Sequence, residues 1–389
     1  MALLKAGVDL DLRPLYGGDT EILEERYAAL KPYLYSHDGD ADWPTHIILH
    51  ETPVVLVEIS KLTGETSKSA QWIALTTWET TRLREDVVQR MEAMYSKIVV
   101  VSEFNRKAFI DSGANPQKLH VLPHCFDPEF WWTEPKRDAL TIHERYRFLW
   151  INCFRDFKSP VGLLLSYLAE FREEDKTLLT MLTDKPEEAE SYVKRFHHSL
   201  QLGNYAPVEI LGPRLTAKCH DCNNTGMKPW PNDGEECQTC KGKGWIREFH
   251  WLPEKRIRQL HYDSDCYVTC TRGEGWGLGS FEAAIIGNPV IATGFSGMKD
   301  YLDVYSNTYY VNYFLFPCVA EPEEAIIHGV RGDQEMAEAD LGHLRRLMRQ
   351  AYKDGWGRTP YWTDHQDRFR QRFSQEAVGE QFKKILEDM

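Results

Sequence analysis

This sequence predicts an α/β chain of two successive open domains with parallel sheets. Short apolar runs alternate with amphipathic segments along almost its whole length, which is the rhythm of strand–helix–strand units. Its 389 residues exceed what one ordinary core holds. A charged stretch, TEPKRDALTIHERYR at 133–147, reads as a linker between two series of strands.

The first series is Val8–Leu12, Ile47–Leu49, Ile73–Thr76, Ile98–Val101 and His120–Leu122. The second is Phe148–Ile151, Leu178–Leu182, Val208–Leu211, Cys266–Thr269, Val290–Ala292 and Tyr309–Val311. Helical periodicity marks PVGLLLSYLAEFREE, LGHLRRLMRQAYKDG and the closing QEAVGEQFKKILEDM. At the front, ALLKAG has the form of a helix end with Gly7 as its terminator. An α/β domain ordinarily opens on a strand, so a first strand and its loop are expected to be missing there.

With 42% hydrophobic residues and 12 tryptophans the chain is globular. No apolar run is long enough to cross a bilayer and the start lacks a signal peptide's layout, so the reading is cytoplasmic. A formal charge of −13 argues against nucleic-acid or anionic-membrane binding over the whole surface. It leaves a local basic patch open. Of the nine cysteines, Cys266 and Cys270 lie in apolar, strand-like runs and read as reduced core residues.

Residues 213–247 break the α/β rhythm. Cys219, Cys222, Cys237 and Cys240 stand in a C-x2-C-x14-C-x2-C arrangement, and two thiolate pairs at that spacing close a tetrahedron around Zn²⁺. The segment has too few apolar residues for a core of its own, and metal binding supplies the missing folding energy. Neither pair follows a thioredoxin-like redox pattern. CQTCKGKG resembles the C-x-x-C-x-G-x-G repeat of the DnaJ-type zinc domain, and CHDCNNTG departs from it with Asn224 in place of a glycine. That resemblance implies a structural zinc fold and no chaperone activity.

Glycines crowd RGEGWGLGSFEAAIIGNPV at 272–290, between Glu274 and Glu282. The run follows the strand CYVT, and a helix is expected from about Ser280. A turn at the carboxyl end of a parallel strand is where open sheets bind ligands. Glycine lets backbone N–H groups approach an anion, and a helix N-terminus favours negative charge. A diphosphate fits there. Glu274 faces its outer substituent, and Glu282, placed in the first helical turn, reaches a hydroxyl pair such as a ribose. The bland alternative is a packing turn with Glu282 offsetting the helix dipole.

The same residues resemble the E-x7-E region of the retaining GT-B glycosyltransferases of family 4. KIVVVSEFNRKAFIDSGANPQKLHVLPHCFDPEFW is similar to the end of that family's first domain, FLWINCFRDFKSPVGLLLSYLAEF to the start of its donor domain, and AEADLGHLRRLMRQAYKDG to its late helix. The resemblance implies two Rossmann-like domains facing a cleft, at 1–140 and 141–365. The zinc insertion at 213–247 interrupts the second, and a C-terminal helix at 366–389 packs back towards the first. It implies that Glu274 faces the transferred sugar, that Gly275, Trp276, Gly277 and Leu278 offer backbone to the diphosphate, and that Glu282 holds the ribose. Lys158 matches the lysine that neutralises the diphosphate, with Arg155 as the arginine partner, while Asn152 stands where a glycine is usual. IILHETP resembles the H-E-x-P turn of the acceptor domain and brings His50 near the sugar; TTWETTRL brings Glu79 to the cleft. Cys125 replaces a usual glycine. The acidic strings DGD at 38–40 and DSD at 263–265 read as structural, so the chemistry is expected to need no metal.

The implied reaction moves a sugar from a nucleotide-diphosphate donor to an acceptor hydroxyl with retention. A glycan, lipid or small-molecule acceptor is one reading. Six cations against four anions give 213–247 a net +2, which suits an alternative, a DNA glycosyltransferase acting on 5-hydroxymethylpyrimidines. A non-catalytic nucleotide-sugar binding protein is a third reading. Donor base and sugar stay open.

Overall fold

The computed structural model describes residues 1–9, 45–62, 70–133, 145–201, 203–213, 215–218, 227, 236–237, 245–247, 252–305, 307–318, 333–355 and 362–388. The first sheet has four parallel strands, β1 (His46–His50), β2 (Gln71–Thr76), β3 (Lys97–Val100) and β4 (Leu119–Val121), in that spatial order. β3, KIVV, is buried along its length, as expected of a parallel strand covered on both faces. The helices that cover it start where the sequence supplies caps. Ser102 accepts the Asn105 N–H at the head of Glu103–Asp111, a cap typically worth about 1 kcal/mol.

The second half opens with β5 (Tyr146–Ile151), β6 (Thr177–Leu182) and β7 (Val208–Leu211). β8 (Leu215–Lys218) and β9 (Trp245–Arg247) form a separate antiparallel pair. β10 (Cys266–Val268), β11 (Val290–Thr293) and β12 (Thr308–Val311) then return to the sheet. Its order is β12-β11-β10-β5-β6-β7, with all five neighbouring pairs parallel. The chain runs outward from β5 on one side and from β10 on the other, so β5 and β10 flank the topological switch point. The crevice beyond their carboxyl ends is the ligand position of this architecture.

Nearly every expected strand is present, within a few residues at its ends. Val8–Leu12 differs: Val8 and Asp9 carry no strand, and residues 10–12 lie outside the described residues. The Val8 N–H bonds back to the Leu3 carbonyl at 3.0 Å, closing the helix Ala2–Lys5 instead of joining a ladder. A hairpin of β13 (Tyr313–Pro317) and β14 (Glu335–Ala339) was not expected. Helix Gln375–Glu387 lays Val378, Phe382, Ile385 and Leu386 against Ile73 of β2 and Val99 of β3, while Phe369 and Phe373 of the preceding helix Trp362–Phe373 join the core around β10. The C-terminal chain thus straps the two sheets together. No helix among the described residues is long and apolar enough to cross a membrane.

Candidate active site

Two loops converge at the switch point. After β5, Asn152–Arg155 leads into a single 3-10 turn, Asp156–Lys158. After β10, Thr269–Gly277 leads into the helix Leu278–Ile285. Gly277 caps that helix at φ +86°, a left-handed conformation that a Cβ disfavours. Because the helix begins at Leu278, Glu282 sits in its second turn, not the first as expected. The glycine gives the backbone a sharper entry than periodicity alone suggests, and the helix-dipole account of Glu282 loses its basis, since the dipole acts chiefly within the first turn.

Lys158 is the hub. It is buried, and its Nζ lies 2.8 Å from Glu274 Oε2 and 2.8 Å from Glu79 Oε1. Burial opposes its charge, but the two carboxylates outweigh that and hold the ammonium above its ordinary range. Glu79 comes from the loop after β2, so the ion triad joins the two sheets. The Asn152 amide donates to Glu274 Oε1 at 3.1 Å, and the Glu274 backbone N–H donates to Ser296 Oγ at 3.0 Å. Ser296 is a non-glycine residue at φ +71°, and such local strain clusters at functional sites.

The loop is packed tightly against the first half. Ser102 Oγ donates to the Gly275 carbonyl at 2.9 Å. A Cβ on Gly273 would meet the Glu79 carbonyl oxygen at 2.1 Å, so only glycine fits. Trp276 turns its indole into the core beside Tyr301, Phe281 and Phe373, leaving only its backbone for a ligand. Leu278 is 54% exposed at the head of the helix. Among the described residues, no hydrogen bond takes up the N–H groups from Gly275 to Ser280. Six successive donors at a helix head beside a buried ammonium form an anion cradle.

Arg155 is exposed and makes no ion pair with another described residue. His50 ends β1 and is exposed. It faces a residue that sequence reasoning missed, His124, whose ring lies 5.9 Å from Trp276. Burial, and then the charge of His50, push His124 down to about 4. Its place just past the end of β4, in LPHCFDP, was the available signal. Asn105, Ser102, Ser296 and His261 were also missed; Asn105 clamps the Trp78 backbone on both its N–H and its carbonyl.

Three of the four metal-candidate cysteines, Cys219, Cys222 and Cys240, lie outside the described residues. Cys237 is buried. Among the described residues, no group of three His, Cys, Asp or Glu side chains gathers to hold a metal. Asp38–Asp40 lie outside the described residues too, while Asp265 accepts the Arg147 N–H at 2.8 Å in a structural role.

This arrangement of two sheets with a loop at the switch point is similar to solved structures. HepE of Anabaena, solved with UDP and glucose, superimposes with a TM-score of 0.58 at 13% identity, over 88% of this chain and 78% of its own. The chain has the GT-B glycosyltransferase fold. A GT-B sucrose-phosphate synthase from Thermosynechococcus elongatus matches with a TM-score of 0.57 at 13% identity, covering 88% of this chain and 73% of that one. A glycosyltransferase from Rickettsia africae gives 0.53 at 12%, covering 86% and 80%. No protein-family model and no curated protein sequence matches this chain. The likeness to these GT-B structures is one of fold.

Proposed function

We propose that the protein is a retaining glycosyltransferase that takes a sugar from a nucleoside-diphosphate donor. The observation that carries this reading is the run of unpaired N–H groups from Gly275 to Ser280 beside the Glu274–Lys158 pair. HepE, of the same fold, was solved with UDP and with UDP-glucose, which makes a uridine diphosphate donor the first to test. In this reading the diphosphate lies on the helix head, Lys158 and Arg155 neutralise it, Glu274 holds the transferred sugar and Glu282 the ribose. His50 and Glu79 border the acceptor.

The acceptor oxygen attacks the anomeric carbon on the face from which the diphosphate leaves. The anomeric C–O bond to phosphate breaks, the new glycosidic C–O bond forms, and the acceptor's proton passes to a departing phosphate oxygen. The chain's own contribution is orientation and stabilisation of the leaving diphosphate. Losing one such preorganised contact typically costs about 100- to 1000-fold in rate. UDP release from a panel of UDP-sugars is the direct assay. Wild-type turnover retained in Glu274→Ala refutes the assignment.

Cys219, Cys222, Cys237 and Cys240 are proposed to hold a structural zinc. β8 pairs with β9, and Met227 bridges Glu236. These nested antiparallel contacts return the chain on itself across the insertion, as two facing C-x-x-C knuckles require. One zinc per chain by elemental analysis, lost in Cys240→Ser, is the expected result.

A further inference from the structure

Glu282 has a partner that no reading of the sequence singled out. His261, on the helix Glu254–Tyr262, is fully buried, and its Nε2 lies 3.0 Å from Glu282 Oε2. The ring is fixed on two sides. It stacks on Tyr267 of β10 at 5.7 Å and meets the Trp131 ring edge-on at 6.2 Å. Asn288 Nδ2 donates to the His261 carbonyl at 2.6 Å, which fixes the backbone. The other ring nitrogen, Nδ1, is buried with no hydrogen-bond partner among the described residues.

That asymmetry carries information. An ionised carboxylate only accepts, so Nε2 must carry the proton and donate it. An imidazole buried for packing alone would be replaceable by an apolar ring without an orphaned nitrogen. Here the fold tolerates the orphan, and what it obtains is a fixed Glu282 carboxylate. With Oε2 tied down and the Glu282 side chain 18% exposed, Oε1 has a set direction.

Resting on the reading of Glu282 as the ribose ligand, we propose that His261 is a positioning residue that orients the Glu282 carboxylate for the vicinal hydroxyls of the donor ribose. It touches no substrate. Its effect is to preorganise the acceptor oxygens before the donor arrives, so it acts on donor binding more than on the chemical step.

The test is calorimetric binding of UDP, 2′-deoxy-UDP and inorganic pyrophosphate to the whole protein. It compares wild type with His261→Phe, which removes the donor, and His261→Gln, whose amide reaches a similar point. His261→Asn is too short to reach and substitutes for the phenylalanine variant if that one does not fold. In His261→Phe, UDP affinity is expected to fall about tenfold, the scale of one hydrogen bond to a charged group. Preference for UDP over its 2′-deoxy form should shrink towards one, and pyrophosphate binding should stay unchanged. His261→Gln should restore the preference, and donor KM should move while kcat holds. A folded His261→Phe or His261→Asn that keeps wild-type preference for the ribose overturns the proposal. So does a loss of UDP and pyrophosphate binding together, which marks a merely structural role. Failure of the wild type to bind either UDP or pyrophosphate overturns the nucleotide-sugar reading itself, and this inference with it.

Discussion

Replacing Lys158 by methionine is the sharpest test of the ion triad. The side chain is 7% exposed and serves two carboxylates, each at 2.8 Å. Methionine keeps most of the volume and removes the charge. Glu79, with a side chain 32% exposed, can turn to water, but Glu274, at 11%, cannot. Among the described residues it is left with the Asn152 amide as its one remaining side-chain partner. Breaking a buried pair from one side typically costs about 3–5 kcal/mol, because the surviving charge stays desolvated. Urea unfolding of Lys158→Met is therefore expected to show a loss of about 3 kcal/mol, the lower end, since Glu79 escapes. Adding Glu274→Gln removes the stranded charge and should return about 2 kcal/mol of that loss. On the proposed reading, turnover should not return, because a leaving diphosphate would still lack its ammonium. A single variant as stable as wild type, or a double variant less stable than the single, refutes the picture of a mutually dependent buried pair.

Four further outcomes follow from the geometry. Glu79→Gln takes one of the two carboxylates off Lys158; stability should fall by about 1–2 kcal/mol, while UDP, which no longer competes with Glu79, should bind several-fold more tightly, so weaker binding by titration contradicts the triad's role. Gly273→Ala sets a Cβ 2.1 Å from the Glu79 carbonyl, and a forced backbone shift there should cost about 1–3 kcal/mol together with turnover. Gly294→Ala, whose Cβ would have 3.5 Å of clearance, should melt close to wild type. His365 is buried, and burial holds it at about 4, below its ordinary 6.5, despite the bond to the Ala284 carbonyl. The unfolded chain then takes up a proton the folded one refuses, so stability should decline as pH falls from 6.5 towards 4, by up to about 3 kcal/mol. His365→Gln should flatten that decline in pH-dependent urea unfolding.

Chain-local rules reached a long way in this protein. Burial of both faces makes parallel strands read as unbroken apolar runs, and so the centres of β3, β5 and β11 are legible from IVVV, FLWI and VIA, while Tyr146 and Arg147, which begin β5, read as linker. The glycine loop was legible for the same kind of reason, since only a turn between strand and helix calls for so many glycines beside charged residues. Local rules failed where pairing at a distance decides the outcome. Glu335–Ala339, EMAEA, is built of good helix formers, yet it is a strand because Tyr313–Pro317 offers it a partner edge. Periodicity places Glu282 in the first turn, because the positive φ of Gly277, which starts the helix at Leu278, leaves no periodic trace.

By itself, then, the sequence determined the succession of elements, the position of the glycine-rich loop after β10 and the residue types along it. Those follow from hydrophobic periodicity and backbone freedom, which act over a few residues. Only the tertiary structure decided which side chains meet. Lys158 lies between Glu274 and Glu79, Asn152 on Glu274 and His261 on Glu282, each pair brought together by strand order and helix packing across 21 to 122 residues of chain. Periodicity shows which face of an element is buried. The partner a buried charge finds there is set by the packing of the whole molecule, and in this site that partnership decides which charges are left for a ligand.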